Sequence, residues 1–447
     1  AAHRPPLGMR CTCSLLLAPA AALVALLVLP QPGPSLEERV AYSRRQWETF
    51  MESLPQEAPR PAQGRGVVVI GGVGLAGSLG PDYTLEALLA LASLRYASCR
   101  LPAELWHNGD PRLLAAEGQA LAALGAKGVT LRDVRALPGA SNLLAFQMIT
   151  FVLRHSAFEE ILYVDSDNVF VSDPTPLFET QAYVDTGAVF WPDWAFLNRQ
   201  NPFWQIAGRE PARMRCIETA QMLFHTGRHW RSLALANYFN ERGLELYYAM
   251  SWGDTGMFAF AWLALRAPFH MVATPLGVAG YVPPRASAGV PDVLCGHTML
   301  QFHPEEPGKI MFAHRAHHKW SRFLNESVPK WQALRMGRTV DASVAESPGF
   351  HFDRYSDHNQ FHFPPTCYCD DGRFNHFCYD YADYRQMPLE PVPAPMAALE
   401  VALVQLRSEL VGGRQELRPD FLLVWADWMQ RHAAGGRPAR SRNAPPR

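Results

Sequence analysis

Ile161-Leu162-Tyr163-Val164-Asp165-Ser166-Asp167-Asn168-Val169-Phe170 decides how this chain is read. Four apolar residues carry the pattern of a buried strand, and two carboxylates one residue apart stand at its end. In extended backbone, residues i and i+2 point to the same side, so Asp165 and Asp167 converge. Hard divalent cations such as Mg²⁺ and Mn²⁺ prefer oxygen ligands and are held by one or two carboxylates together with substrate phosphates. The pair therefore suits a metal–diphosphate, which is the leaving group of a nucleotide sugar. Asp and Asn are also common in solvated turns. The apolar run before the pair, and Val169-Phe170-Val171-Ser172-Asp173-Pro174 after it, favour the site over the turn.

Upstream of this strand the pattern alternates. Gly66-Val67-Val68-Val69-Ile70-Gly71 reads as a buried strand and runs into Gly72-Val73-Gly74-Leu75-Ala76-Gly77, a formal Gly-x-Gly-x-x-Gly. A dinucleotide site needs a helix that starts within those glycines. Ser78-Leu79-Gly80-Pro81 follows instead, and Gly-Pro forbids a continuous helix. The segment is kept as a glycine loop close to a nucleotide base, with the next helix from near Asp82 to about Ala97. Ala103–His107 reads as a second strand, 111–124 as a helix, Gly128–Leu131 as a third strand and Asn142–His155 as a helix. Strands alternating with helices predict an α/β fold with a mainly parallel sheet and right-handed crossovers. Ligands of such sheets bind outside the carboxyl ends of the strands, where Asp165 and Asp167 lie.

Downstream come Trp191, Trp194, Phe203, Trp204, Trp230, Tyr247, Tyr248, Trp252 and Trp262. Scattered aromatics are usually core; alternating with carboxylates in loops, they also suit sugar faces. Met396–Leu410 and Asp420–Met429 read as two amphipathic helices.

Composition sets the limits. Of 447 residues 48% are apolar, enough for a sizeable core, and the net charge of −1 argues against a general nucleic-acid partner. Ser14–Pro30 is uncharged and apolar, with His3, Arg4 and Arg10 before it and Glu37, Glu38 and Arg39 after it. It reads as a short uncleaved signal-anchor with the basic side cytoplasmic and the rest luminal; a cleaved signal peptide is the alternative. Ser35-Leu36-Glu37-Glu38 reads as a capping box opening a helix to about Ser53. Pro55–Gly64 reads as a linker, and together they make a stem. Cys11 and Cys13 lie on the cytoplasmic side. The remaining six cysteines, Cys99, Cys216, Cys295, Cys367, Cys369 and Cys378, permit disulfides whose pairing the sequence leaves open. Cys367, Cys369, His376 and Cys378 match no common zinc spacing. Asn325-Glu326-Ser327 is a glycosylation sequon in a luminal chain.

The blocks, taken in order, resemble the Golgi α-mannosyltransferases best known from fungi, glycosyltransferase family 71. They are Ser156–Asn168 with Asp173-Pro174 and Leu177-Phe178, then Tyr183 with Gly187–Trp194. Glu218-Thr219-Ala220-Gln221 with His229-Trp230 and Trp252-Gly253-Asp254 with Phe258–Trp262 follow. Gln301-x-His303-Pro304 and Phe312-Ala313-His314-Arg315 close the run. The resemblance covers about Glu104 to Trp320. It implies a GT-A-type fold, type II Golgi topology, Mn²⁺, a GDP-mannose donor, a glycan or glycoprotein acceptor, and transfer with retention. Asp165 and Asp167 carry over as metal and diphosphate ligands, with His314 as the third metal ligand and His303 as the second choice. Gln147 and Arg315 are implied on the donor side, with Arg315 and Lys319 set against the leaving diphosphate. Asp193, Glu218 and Asp254 are implied as the catalytic, acceptor-side carboxylates.

Two blocks depart from the family. Phe146-Gln147 is followed by Met148-Ile149-Thr150 without the family's Lys, and Gly253-Asp254-Thr255 replaces Gly-Asp-Lys. They keep open a UDP-sugar donor, or a non-catalytic glycan-binding role. The organisation read from the sequence is a cytoplasmic tail at 1–13, the anchor at 14–30, the stem at 31–64, a GT-A glycosyltransferase domain at 65–385, a C-terminal helical extension at 386–432 and a disordered basic tail at 433–447.

Overall fold

The computed structural model describes residues 35–58, 62–72, 81–140, 143, 145–243, 245–251, 254–282, 294–316, 319–323, 331–336, 388–414 and 416–432. The anchor stretch, the glycine loop from Val73 to Gly80, Trp252, Gly253, the sequon, the Cys367–Cys378 group and the basic tail lie outside them. Among the described residues no helix is long and apolar enough to cross a membrane.

Two sheets carry the fold. The first has seven strands, β1 (Arg65–Ile70), β2 (Ala103–His107), β3 (Val129–Asp133), β4 (Glu160–Asp165), β6 (Ala188–Phe196), β7 (Arg215–His225) and β8 (His270–Met271), in the order β3-β2-β1-β4-β7-β6-β8. β3, β2, β1 and β4 run parallel, with Val67 opposite Leu162 and Ile70 opposite Asp165, and β7 lies antiparallel to β4. Helices cover both faces, which is why Val67–Val69 and Ile161–Val164 are almost wholly buried. Alternation assigns the faces. Val67, Val69, Leu162 and Val164 join a core with the helices Tyr83–Tyr96, Ala394–Val411 and Phe421–His432. Val68, Ile161 and Tyr163 join a core with the helices Ala145–His155, Thr226–Glu241 and Thr255–Leu265.

The second sheet is antiparallel and was not anticipated. It comprises β5 (Asn168–Phe170), β9 (Gly277–Tyr281), β10 (Cys295–Phe302), β11 (Ile310–His314), β12 (Ala333–Arg335) and β13 (Glu390–Pro391), in the order β13-β12-β9-β10-β11-β5. β5 follows β4 after a two-residue turn, so the chain changes sheets at Ser166-Asp167.

The elements themselves follow local chemistry. Asp82 caps the helix Tyr83–Tyr96 by accepting the N–H groups of Thr84 and Leu85. The helix expected over 111–124 is broken in two, Pro111–Leu114 and Gln119–Ala126, around Gly118 at φ +50°. Ser35 and Glu38 form the expected capping box of the helix Leu36–Ser53.

That helix departs from the stem reading. It buries Val40, Trp47 and Met51. The Trp47 indole donates to the Ile206 carbonyl at 2.7 Å, and Phe50 stacks on Tyr238 with centroids 4.6 Å apart. Arg231 donates to the carbonyls of Met51, Leu54 and Pro55. The helix therefore packs as part of the globular unit. The C-terminal helices do the same: the Trp425 indole donates to the Leu88 carbonyl at 2.8 Å. Among the described cysteines, Cys99 and Cys216 carry free thiols.

Candidate functional site

Strand order places the site. β1 has β2 on one side and β4 on the other, so the winding reverses between β1 and β4. A crevice opens at the carboxyl ends of strands at such a reversal. β1 ends at Ile70 beside Asp165, the last residue of β4. The Asn168 amide donates to the Ala220 carbonyl at 3.0 Å and to Gln221 Oε1 at 2.7 Å, tying the turn after β4 to β7. In the second sheet Asn168 stands opposite His314, which brings that ring beside the turn. His314 Nε2 lies 3.4 Å from Asp167 Oδ1, and the Arg315 N–H donates to the Asp167 carbonyl at 2.9 Å. One ligand atom each from Asp165, Asp167 and His314 lie within 4.8 Å of one another.

Neighbouring groups hold this cluster. Tyr163, two residues before Asp165 and on the same side of β4, donates its hydroxyl to Asp165 Oδ1. The Lys319 ammonium pairs with Asp167 Oδ2. Glu218 enters because β7 is irregular: Met222 pairs with Phe190, yet the next pair is Glu218 with Trp191. The displaced segment turns Glu218 toward His314, with Oε1 3.6 Å from Nδ1, while the Ala220 N–H donates to the same carboxylate oxygen at 3.0 Å. Burial pushes the Glu218 carboxyl up to about 8; His314 opposes this, while Asp193 and Asp165 add to the rise. Asp254 stands at the start of the helix Thr255–Leu265, its Oδ1 3.5 Å from the Thr219 hydroxyl. Burial, then the Asp165 charge, pushes Asp254 up to about 7.

The donor set of two carboxylates and an imidazole fits a divalent cation, the carboxylates suiting a hard ion and the imidazole a borderline transition ion. His314 Nδ1 and Asp254 Oδ2 are buried without a hydrogen-bond partner among the described residues. Buried polar atoms left without a partner call for an explanation, and a bound ion is one that fits these two.

The structure brings Asp165, Asp167, His314, Glu218, Asp254 and Lys319 together, with Asp193 close enough to act on Glu218. Three sequence candidates go elsewhere. The Gln147 amide donates to the carbonyls of Asn240 and Glu241, at the end of the helix Thr226–Glu241. Arg315 turns away from the turn it follows. Its guanidinium is wholly buried, 3.3 Å from Glu400 and over the ring of Trp320 at 4.1 Å, and burial pulls it down to about 10. His303 accepts the N–H groups of Glu305 and Glu306 and faces Glu306, away from the cluster. Of the aromatics, Trp191, Phe203, Trp204 and Trp262 are core, so they do not line a sugar site. Sequence reasoning missed Tyr163 and Thr219; the i, i+2 spacing of Tyr163 and Asp165 was the available signal.

Residues 64–216 and 212–303, more than half of the chain, match the Mannosyl_trans3 family of mannosyltransferases. The chain is 25% identical over 313 residues to the alpha-1,2-mannosyltransferase MNN22 of Candida albicans, covering 59% of this chain and 51% of that protein. It is 25% identical over 293 residues to the alpha-1,2-mannosyltransferase MNN5 of Saccharomyces cerevisiae, covering 51% and 48%. The chain thus spans about half the length of these curated relatives. Among solved structures, the glycosyltransferase GlyE of Streptococcus pneumoniae aligns with a TM-score of 0.32 at 17% identity, over 47% of this chain and 45% of that one. The galactosyltransferase LgtC with donor and acceptor sugar analogues aligns with a TM-score of 0.32 at 15% identity, over 44% and 69%.

Proposed function

We propose, from the premise that this chain belongs to the Mannosyl_trans3 mannosyltransferase family, that it transfers mannose from GDP-mannose to a glycan acceptor in protein glycosylation, with retention. The observation that carries this reading is the convergence of Asp165, Asp167 and His314, with Lys319, at the strand-order reversal. A bound Mn²⁺ would be held by Asp165, Asp167 and His314 and would neutralise charge on the diphosphate. Lys319 is placed to add a second positive charge there as the sugar–phosphate bond breaks. Asp254 and Glu218 are buried and keep their protons toward neutral pH, so each can offer a hydrogen bond to a sugar hydroxyl. The GT-A assignment and a luminal, Golgi, type II setting belong to the same proposal and rest on the family resemblance and the apolar stretch at Ser14–Pro30.

A UDP-sugar donor is the second reading, left open by Met148-Ile149-Thr150 and Thr255 at positions where the resemblance leads one to look for lysines. The test is nucleotide release by the purified chain, with Mn²⁺ and a panel of GDP- and UDP-sugars plus mannoside acceptors. Release from GDP-mannose that is lost in Asp165→Ala/Asp167→Ala supports donor and site together. Release from a UDP-sugar alone discards mannose. Silence with every donor, from folded protein, discards the enzyme.

A further inference from the structure

The limb that carries Lys319 leaves the second sheet at His314, yet it is pinned from behind. Arg315, buried throughout, meets Glu400 at 3.3 Å. Its guanidinium lies near the rings of Trp320 at 4.1 Å and Trp331 at 5.8 Å. The same Glu400 carboxylate accepts the Trp331 N–H with both oxygens, at 3.0 and 2.9 Å. About two helical turns further on, Arg407 donates Nε to the Trp320 carbonyl at 2.8 Å. Ser321 donates its N–H and its hydroxyl to Glu86, at 2.8 and 2.7 Å. Glu400 and Arg407 both belong to the helix Ala394–Val411, and both are buried. The match to the family ends at residue 303, so the limb and the helix behind it lie beyond it.

We infer that Glu400 and Arg407 of this C-terminal helix are positioning residues for the metal and diphosphate limb, acting through Arg315 and Trp320 on the flanking His314 and Lys319. The physical case is one of leverage. Arg315 adjoins His314 and Trp320 adjoins Lys319, so fixing those two residues fixes the backbone on which the ligand and the ammonium ride. A buried ion pair contributes little net stability against an apolar pair of the same shape, so fixing one geometry is the use that fits this one. Groups that orient metal ligands from behind commonly alter metal affinity or activity by about 10- to 100-fold when changed. The inference rests on the metal reading above and goes further by placing part of the site's construction in the C-terminal helix behind it.

The experiment is a Mn²⁺ titration of the whole chain at fixed GDP, read by melting temperature and by calorimetry, alongside donor kinetics. Glu400→Gln keeps the side-chain shape and one acceptor but removes the charge; Arg407→Met cuts the hydrogen bond to Trp320 and leaves the ion pair. Both are expected to raise the Mn²⁺ concentration at half-saturation about 10-fold or more. The donor KM should rise with it and kcat should recover at saturating Mn²⁺. Val401→Ala, on the exposed side of the same helix, should titrate like the wild type. Wild-type half-saturation in a folded Glu400→Gln protein overturns the inference. Should that variant fail to fold, Arg407→Met alone decides in the same way. A wild-type protein with no Mn²⁺ response overturns the functional reading itself, and this inference with it.

Discussion

Asp167→Asn tests the candidate metal centre most directly, because Asp167 lies against both His314 and Lys319. Its Oδ1 faces His314 Nε2 at 3.4 Å and its Oδ2 faces the Lys319 ammonium, and the side chain is buried. The substitution keeps shape and removes one negative charge. At about 4 Å and an effective dielectric near 20, a pair of unit charges is worth about 4 kcal/mol, and a divalent ion feels more. Taking about 4 kcal/mol as the loss, the metal dissociation constant rises about a thousandfold. Wild-type protein at about 100 times its dissociation constant gains about 2.7 kcal/mol, whereas the variant at the same concentration gains less than about 0.1 kcal/mol. In metal-free buffer the variant also loses a charged contact to Lys319, worth about 1–2 kcal/mol with Asp167 buried and Lys319 only partly so. Thermal unfolding with and without Mn²⁺ and GDP separates the two effects. The variant should melt lower than wild type without metal and show no metal-dependent rise. A full wild-type rise in Asp167→Asn would refute the site.

Other expectations follow from the same contacts. Tyr163→Phe removes the hydroxyl that orients Asp165 and should raise the Mn²⁺ half-saturation point roughly tenfold while costing about 1 kcal/mol of stability, checked by the same titration and by urea unfolding. Trp47→Ala should cost about 3–5 kcal/mol in denaturant unfolding, because Trp47 is buried and hydrogen-bonded to Ile206; a change under about 1 kcal/mol would return its helix to a stem. Asp254 holds its proton up to about 7 in the folded chain against 3.8 ordinarily, so its contribution is complete below about pH 4 and is lost as pH rises through 7. In chelator, the unfolding free energy of wild type relative to Asp254→Asn should therefore fall between about pH 4 and 7; the difference isolates Asp254, because the buried His229, whose pKa is pushed down to about 4, acts with the opposite sign over the same window. His314→Ala should abolish the Mn²⁺ response and His303→Ala should leave it, since His303 is engaged by Glu305 and Glu306.

What was legible in the sequence was local. The apolar runs at Gly66–Ile70 and Ile161–Val164 carry the central parallel pair of the first sheet, because strands buried on both faces are written as near-continuous apolar stretches. The caps at Ser35 and Asp82 mark helix starts through side-chain chemistry that acts within three residues. The outer strands of the second sheet were not legible, since β5, β12 and β13 are three, three and two residues long. Runs that short carry no periodicity, and only pairing across the chain makes them strands. The helix Leu36–Ser53 was legible as a helix but not as part of the globular unit. Its buried Val40, Trp47 and Met51 form a narrow stripe, and the helix meets Ile206 and Tyr238, which are distant in sequence.

The site divides along the same line. Asp165 and Asp167 were readable because two residues of one strand share a side. His314 was readable only through the resemblance, and register explains why it belongs: β11 pairs with β5 so that His314 faces Asn168. That register also explains the misplacement of Arg315. Neighbours in extended chain point to opposite sides, so once His314 faces the carboxylates, Arg315 must face the layer behind them. There it meets Glu400 and two tryptophans, a setting that a guanidinium tolerates through pairing and stacking. Lys319, past the end of the strand, is released from that alternation and returns its ammonium to Asp167. One strand end thus separates two cations that sequence reasoning had assigned the same task. One meets the carboxylates; the other anchors the limb that brings it there.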